Sequence, residues 1–95
     1  MTVRWTSSAL RDLEAIGDYV AKDKPAAARR LVGDIFDRTS LLAQHPDAGR
    51  PGRVAGTREL VVTGTPYIVP YRVRDGEVEI LAVFHWARRP PSADD

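Results

Sequence analysis

The stretch from Tyr67 to His85, YIVPYRVRDGEVEILAVFH, constrains the fold more than any other part of the chain. Two runs of alternating apolar and polar residues flank Asp75-Gly76, a pair that tolerates positive φ at both positions and so turns a chain back on itself. The alternation puts Tyr67, Val69, Tyr71 and Val73 on one face of the first run. It puts Val78, Ile80, Ala82 and Phe84 on one face of the second, which is expected to continue to His85. Such a hairpin has one apolar face, and that face must be covered by something else. Pro70 interrupts the pattern. It removes a ladder donor from the middle strand, so a bulge or a sheet edge is predicted at that amide.

The cover lies upstream. Leu10, Leu13, Ile16 and Val20 recur at three- and four-residue steps, which predicts an amphipathic helix to about Lys22 with Ser7 and Ser8 as its capping residues. KDKP breaks it, and Pro25 is placed to open a second helix, where its missing N–H would be unpaired anyway. Ala28, Leu31, Val32, Ile35, Phe36, Thr39 and Leu42 form the second stripe, to about Gln44, before His45-Pro46 stops it. The short connection implies an antiparallel helical hairpin whose stripes need a sheet. Thr2 to Thr6 and Arg58 to Thr63 are further strands, and residues 46–57, PDAGRPGRVAGT, read as a loop. Trp5 is expected in the core. The predicted architecture is α+β, ordered β-α-α-β-β-β, a helical hairpin packed on a small twisted antiparallel sheet. One domain is expected over residues 1–91, with 92–95 as a frayed tail.

The chain has no cysteine, which removes disulfides and thiolate metal sites. Its two histidines, His45 and His85, are far apart in sequence, and neither a metal nor a cofactor is expected. No apolar run approaches the roughly 20 residues that cross a bilayer, and a cytoplasmic location is expected. Net charge is only +1, but residues 49–91 hold seven arginines and no lysine against four acidic residues. Arginine is the side chain that grips phosphate or carboxylate with two parallel hydrogen bonds.

Over nearly its whole length the chain resembles the RelE/ParE superfamily, the toxins of type II toxin–antitoxin modules. The resemblance is carried by ALRDLEAIGDYVAKDKPAAARRLV, LLAQHPDAGRPGRVAGTREL, YIVPYRVRDGEVEILAVFH and the closing His85-x-x-Arg88. It implies a cognate antitoxin that wraps across the toxin, and hence a toxin–antitoxin hetero-oligomer. It also implies one of two targets. RelE-like members cut mRNA in the ribosomal A site; ParE-like members poison DNA gyrase.

Ribosome-dependent nucleases of this superfamily place basic residues on the second strand, an arginine early in the third, an arginine after the last strand, and a late tyrosine or histidine. Here Arg58 is the only cation on the second strand, Ile68 stands where the third-strand arginine would be, and no tyrosine follows Tyr71. Arg88 matches, and His85 is a late histidine. The resemblance is therefore closer to the ParE-like members, with gyrase as the expected target. The alternative is an mRNA interferase with Arg88 and Arg58 on the phosphate and His85 as acid or base; a third is a degenerate interaction module. Expected contact residues for target or antitoxin are Arg50, Arg53, Arg58, Tyr71, Arg72, Trp86, Arg88 and Arg89, with a basic face around Arg58, Arg72 and Arg88.

Overall fold

Thr6, rather than Ser7 or Ser8, starts the first helix. Its backbone is extended and its hydroxyl accepts the N–H of Ala9 while donating to the Ile80 carbonyl at 2.8 Å, so one side chain caps the helix and ties it to a strand. The computed structural model describes residues 1–88. Strand β1 (Thr2–Trp5) leads into α1 (Ser7–Ala21) and α2 (Pro25–Ser40), and a 3₁₀ turn (Leu41–Ala43) extends the second helix. Pro25 opens α2 as expected. Gly17 lets the helices approach closely, for a Cβ there would lie 3.0 Å from Val32.

The remaining strands are β2 (Arg50–Pro51), β3 (Arg58–Val61), β4 (Tyr67–Arg74), β5 (Glu77–Ile80) and β6 (Phe84–His85), followed by a 3₁₀ turn (Trp86–Arg88). Their order across the sheet is β1-β5-β4-β3-β2, with β6 also pairing β4. The expected α+β hairpin-on-sheet architecture is present, and its sheet is mixed. The β3–β4–β5 meander is antiparallel, while β1 joins the edge parallel to β5, a pairing that the long crossover through both helices permits. Asp75 and Gly76, at φ 53° and 74°, form the expected tight turn. The stretch read as a loop contains β2. There Arg50 faces Glu59, and Pro51 sits on the sheet edge, where a missing N–H breaks no ladder.

The last strand is not continuous. Tyr71 faces Ile80 but Tyr67 faces His85, so three residues, Leu81 to Val83, oppose two, Val69 and Pro70. That is the bulge expected from Pro70. Its carbonyl accepts the Leu81 N–H at 2.9 Å and it has no N–H to return. The extra residue shifts the alternation: Val83 is buried, whereas Ala82 and Phe84 are only half-buried. The shift also takes the Val83 N–H out of the ladder, and the Asp12 carboxylate on α1 accepts it at 3.0 Å.

Ile35, Leu42, Val62, Val69, Tyr71, Val78 and Ile80 form the centre of the core, with Leu13 and Trp5 packed onto it. Trp5 stacks on Phe36 with ring centres 6.0 Å apart. Leu10, Phe36 and Val73, expected inside, keep about half their surface in solvent because each lies at the margin of its stripe.

Tyr71 is fully buried, and its hydroxyl does two jobs. It donates to the Pro46 carbonyl at 2.7 Å and accepts the Gly49 N–H at 2.8 Å, clasping the loop after α2 to the middle of the sheet. Its loss from the list of contact residues follows, since no surface remains to touch a partner. A Cβ on Gly49 would lie 2.6 Å from the Tyr71 ring and 2.9 Å from the Glu59 carbonyl. Gly49→Ala is expected to lower stability by about 1–3 kcal/mol in urea unfolding, the cost of overpacking a filled site. A variant as stable as the parent would show that the loop moves freely. Burial also pushes the Tyr71 phenol above its ordinary 10.0, against the opposing pull of the Gly49 N–H and then the Arg58 guanidinium. The folded chain thus holds a proton that the unfolded chain releases near 10. Stability is intact below that pH and is lost as pH climbs through the raised value. Between about pH 9 and about pH 11 the urea midpoint should fall less steeply in Tyr71→Phe than in the parent. Equal slopes would remove Tyr71 as the source.

Candidate functional site

Because paired residues of neighbouring strands share a face, the register sorts the arginines. Arg4, Arg72 and Arg74 lie with Glu77 and Glu79 on the sheet face turned away from the helices, and Arg50 lies there with Glu59. Glu79 is 5% exposed and bound by Arg4, by Arg72 at 2.7 Å and by Arg74 at 3.6 Å. Glu59, 8% exposed, takes Arg50 at 3.2 Å. Arg58 faces the other way, beside Tyr71, and spends its guanidinium on the Gly49 carbonyl at 2.8 Å, with Asp47 3.8 Å away. Arg88 stands on the helix side, over the ring of Tyr19 at 5.6 Å. The expected basic face around Arg58, Arg72 and Arg88 is therefore not formed. Strand alternation turns Arg58 and Arg72 to opposite faces, and two of the three are already engaged.

The closing segment divides its side chains between two clefts. His85 and Arg88 turn toward α1. With Asp12, Tyr19 and Tyr67 they line a cleft of about 360 Å³ walled by Ile16, Val83 and Phe84. The His85 ring meets Tyr67 edge-on at 5.6 Å, and its Nδ1 accepts the Ala87 N–H at 3.1 Å. In the neutral ring the proton then sits on Nε2, since an accepting nitrogen carries none. Burial raises the Tyr67 phenol above 10.0 while Arg88 pulls it down, Tyr19 adding a smaller upward push. Trp86 turns the other way. It is 60% exposed, its backbone N–H held by the Pro66 carbonyl at 2.9 Å, and it shares a second cleft of about 270 Å³ with Arg50, Val61 and Ile68.

Of the expected site residues, the structure places His85 with Arg88 in one cleft and Trp86 with Arg50 in the other, and the His85 and Trp86 rings stack at the boundary with centres 6.3 Å apart. Arg53 is exposed in the loop after β2, away from any pairing in the sheet. Arg89 lies outside the described residues, as does the tail over 92–95. Asp12 and Tyr19 were missed. They were legible in principle, because Asp12, Ala15, Ile16 and Tyr19 make a second stripe at helical spacing beside the apolar one. Among the described residues no group of three or more metal-ligating side chains could hold an ion, and no helix is long and apolar enough to cross a membrane.

Residues 3–90 match the family model described as the ParE toxin of the type II toxin–antitoxin system, parDE. A protein of Sinorhizobium fredii named Y4kP, provisionally a toxin, is 52% identical over 83 residues, covering 87% of this chain and 85% of its own. Toxin RelE2 of Caulobacter vibrioides is 43% identical over 86 residues, covering 90% and 96%. Among solved structures, a chain of the chromosomal ParDE system from Pseudomonas aeruginosa superposes with a TM-score of 0.83 at 34% identity, over 90% of this chain and 95% of that one. A chain of the RelBE2 toxin–antitoxin complex from Mycobacterium tuberculosis gives 0.65 at 32% identity, over 88% and 95%.

Proposed function

The chain belongs to the ParE toxin family of type II toxin–antitoxin systems, and we propose that it arrests growth by binding and poisoning DNA gyrase rather than by cutting RNA. One observation carries this reading: the cations that RNA cleavage needs are not assembled. Cleavage requires activation of a 2′-hydroxyl, cations on the scissile phosphate and a proton for the leaving oxygen. Arg58 is committed to the Gly49 carbonyl, on the face opposite Arg72. Ile68, 4% exposed, stands where the resemblance to the nucleases would put an arginine. Among the described residues His85 has Arg88 as the one guanidinium in its cleft, and the Asp12 carboxylate shares that space.

Trp86, Val61 and Arg50 offer what a protein target needs, an exposed aromatic anchor with apolar and guanidinium neighbours. The Pseudomonas structure is of a ParDE toxin–antitoxin system and the Mycobacterium structure is of a toxin–antitoxin complex, which supports a cognate antitoxin as the physiological partner. Gyrase acts in the cytoplasm, and that is the location proposed. The competing reading, a ribosome-dependent mRNA interferase, has one observation in its favour: His85 and Arg88 do share a cleft, with a proton on Nε2.

The purified chain is expected to block gyrase supercoiling while leaving mRNA intact in a translating extract. Trp86→Ala should weaken that block at least about tenfold with unchanged folding, as loss of an interface anchor does. Cleavage at A-site codons that disappears in His85→Ala would establish the nuclease instead.

A further inference from the structure

The cleft between α1 and β6 has the composition of a receptor for one negative charge. Arg88 has no carboxylate partner among the described residues. It rests over Tyr19 at 5.6 Å, an arrangement that leaves its in-plane N–H donors available. Two further donors line the same cleft: the imidazole of His85, whose Nδ1 is occupied by the Ala87 N–H, and the Tyr67 hydroxyl. The carboxylate in the described wall, Asp12, already binds the Val83 N–H through Oδ2.

Asp12 also decides what kind of anion fits. Among the described residues lining the cleft, Arg88 is the one guanidinium and Asp12 the one carboxylate. A nucleic-acid strand would bring several phosphates against that carboxylate. A lone carboxylate on a short aliphatic stem meets no such penalty, because Ile16 and Phe84 can cover the stem while Arg88 takes both oxygens.

We propose that this cleft is the acceptor site for a single Asp or Glu side chain of the antitoxin, held bidentately by Arg88 with His85 and Tyr67 as flanking donors. The proposal rests on the antitoxin partnership above and adds to it the chemistry of one contact. It also gives the closing segment a division of labour, with Arg88 facing the antitoxin and Trp86 facing the target.

The test is a double-mutant cycle by calorimetric titration of the full chain with its cognate antitoxin. Arg88→Gln is expected to weaken binding about 30-fold or more, the cost of truncating one partner of a buried hydrogen-bonded charge pair, and Arg88→Lys to recover part of it. In a scan replacing each antitoxin Asp or Glu by its amide, one substitution should cost a similar factor and add little on top of Arg88→Gln. Arg88 is exposed, so the variants should keep the parent's thermal midpoint. Binding by Arg88→Gln within about twofold of the parent, or losses that add for every antitoxin carboxylate, would overturn the proposal. So would an Arg88→Gln chain that binds antitoxin normally yet no longer arrests growth, because the cleft would then serve the cellular target. A parent chain that binds no antitoxin contradicts the partnership itself, and the site falls with it.

Discussion

One missing hydrogen organises the end of this molecule. Pro70 lies in the middle of the central strand and can accept from Leu81 but cannot donate back. The ladder opens there, one extra residue enters the neighbouring strand, and the Val83 N–H leaves the sheet. A buried N–H without a partner costs about 1–3 kcal/mol, so the fold must supply an acceptor, and Asp12 supplies it from α1. The bond fixes the helical hairpin against the sheet at the point where the chain's last described residues emerge. It also fixes parity: after the extra residue, His85 and Arg88 face the helix and Trp86 faces the open side.

The second constraint is electrostatic. Read along the chain, the surplus of arginine after residue 48 suits contact with phosphate or carboxylate, though an excess of this size by itself fits the solvation of strand edges. In three dimensions it is largely spent. Glu79 and Glu59 are nearly buried, and a carboxylate withdrawn from water needs cations around it, which Arg4, Arg72, Arg74 and Arg50 provide. Arg58 holds a loop carbonyl. The sheet's open face is thus close to charge-balanced, and among the described arginines after residue 48 Arg53 in its loop and Arg88 in its cleft are left outside these contacts.

What was legible in the sequence follows from the range of the interactions involved. The helices, the turn at Asp75-Gly76 and the opening of α2 at Pro25 are set by neighbours a few residues apart, and periodicity captures them. A break at Pro70 was legible too, because proline's missing donor is a local fact, but the choice between a bulge and a sheet edge was not. The parallel pairing of β1 with β5 joins Thr2 to Glu77, and nothing local encodes it. Strand β2 hid inside a run of glycines and prolines because it is two residues long and needs only Glu59 and Arg58 as partners. Asp12 has no role assigned from the sequence, and Tyr71 is assigned there both to the apolar face and to the contact residues. Each acquires its role from residues far away in sequence, Val83 for one, Pro46 and Gly49 for the other.

The central claim is that the break at Pro70 is held by Asp12 and thereby aims the closing segment. Amide hydrogen exchange at Val83, followed by NMR in the parent and in Asp12→Ala, tests it directly. The account predicts that Val83 exchanges slowly in the parent. Its protection should drop about 10- to 100-fold in the variant, with a parallel loosening at Trp86, while Leu81, bonded to Pro70, stays protected. A Val83 amide that exchanges freely in the parent, or one whose protection survives the loss of Asp12, would contradict it.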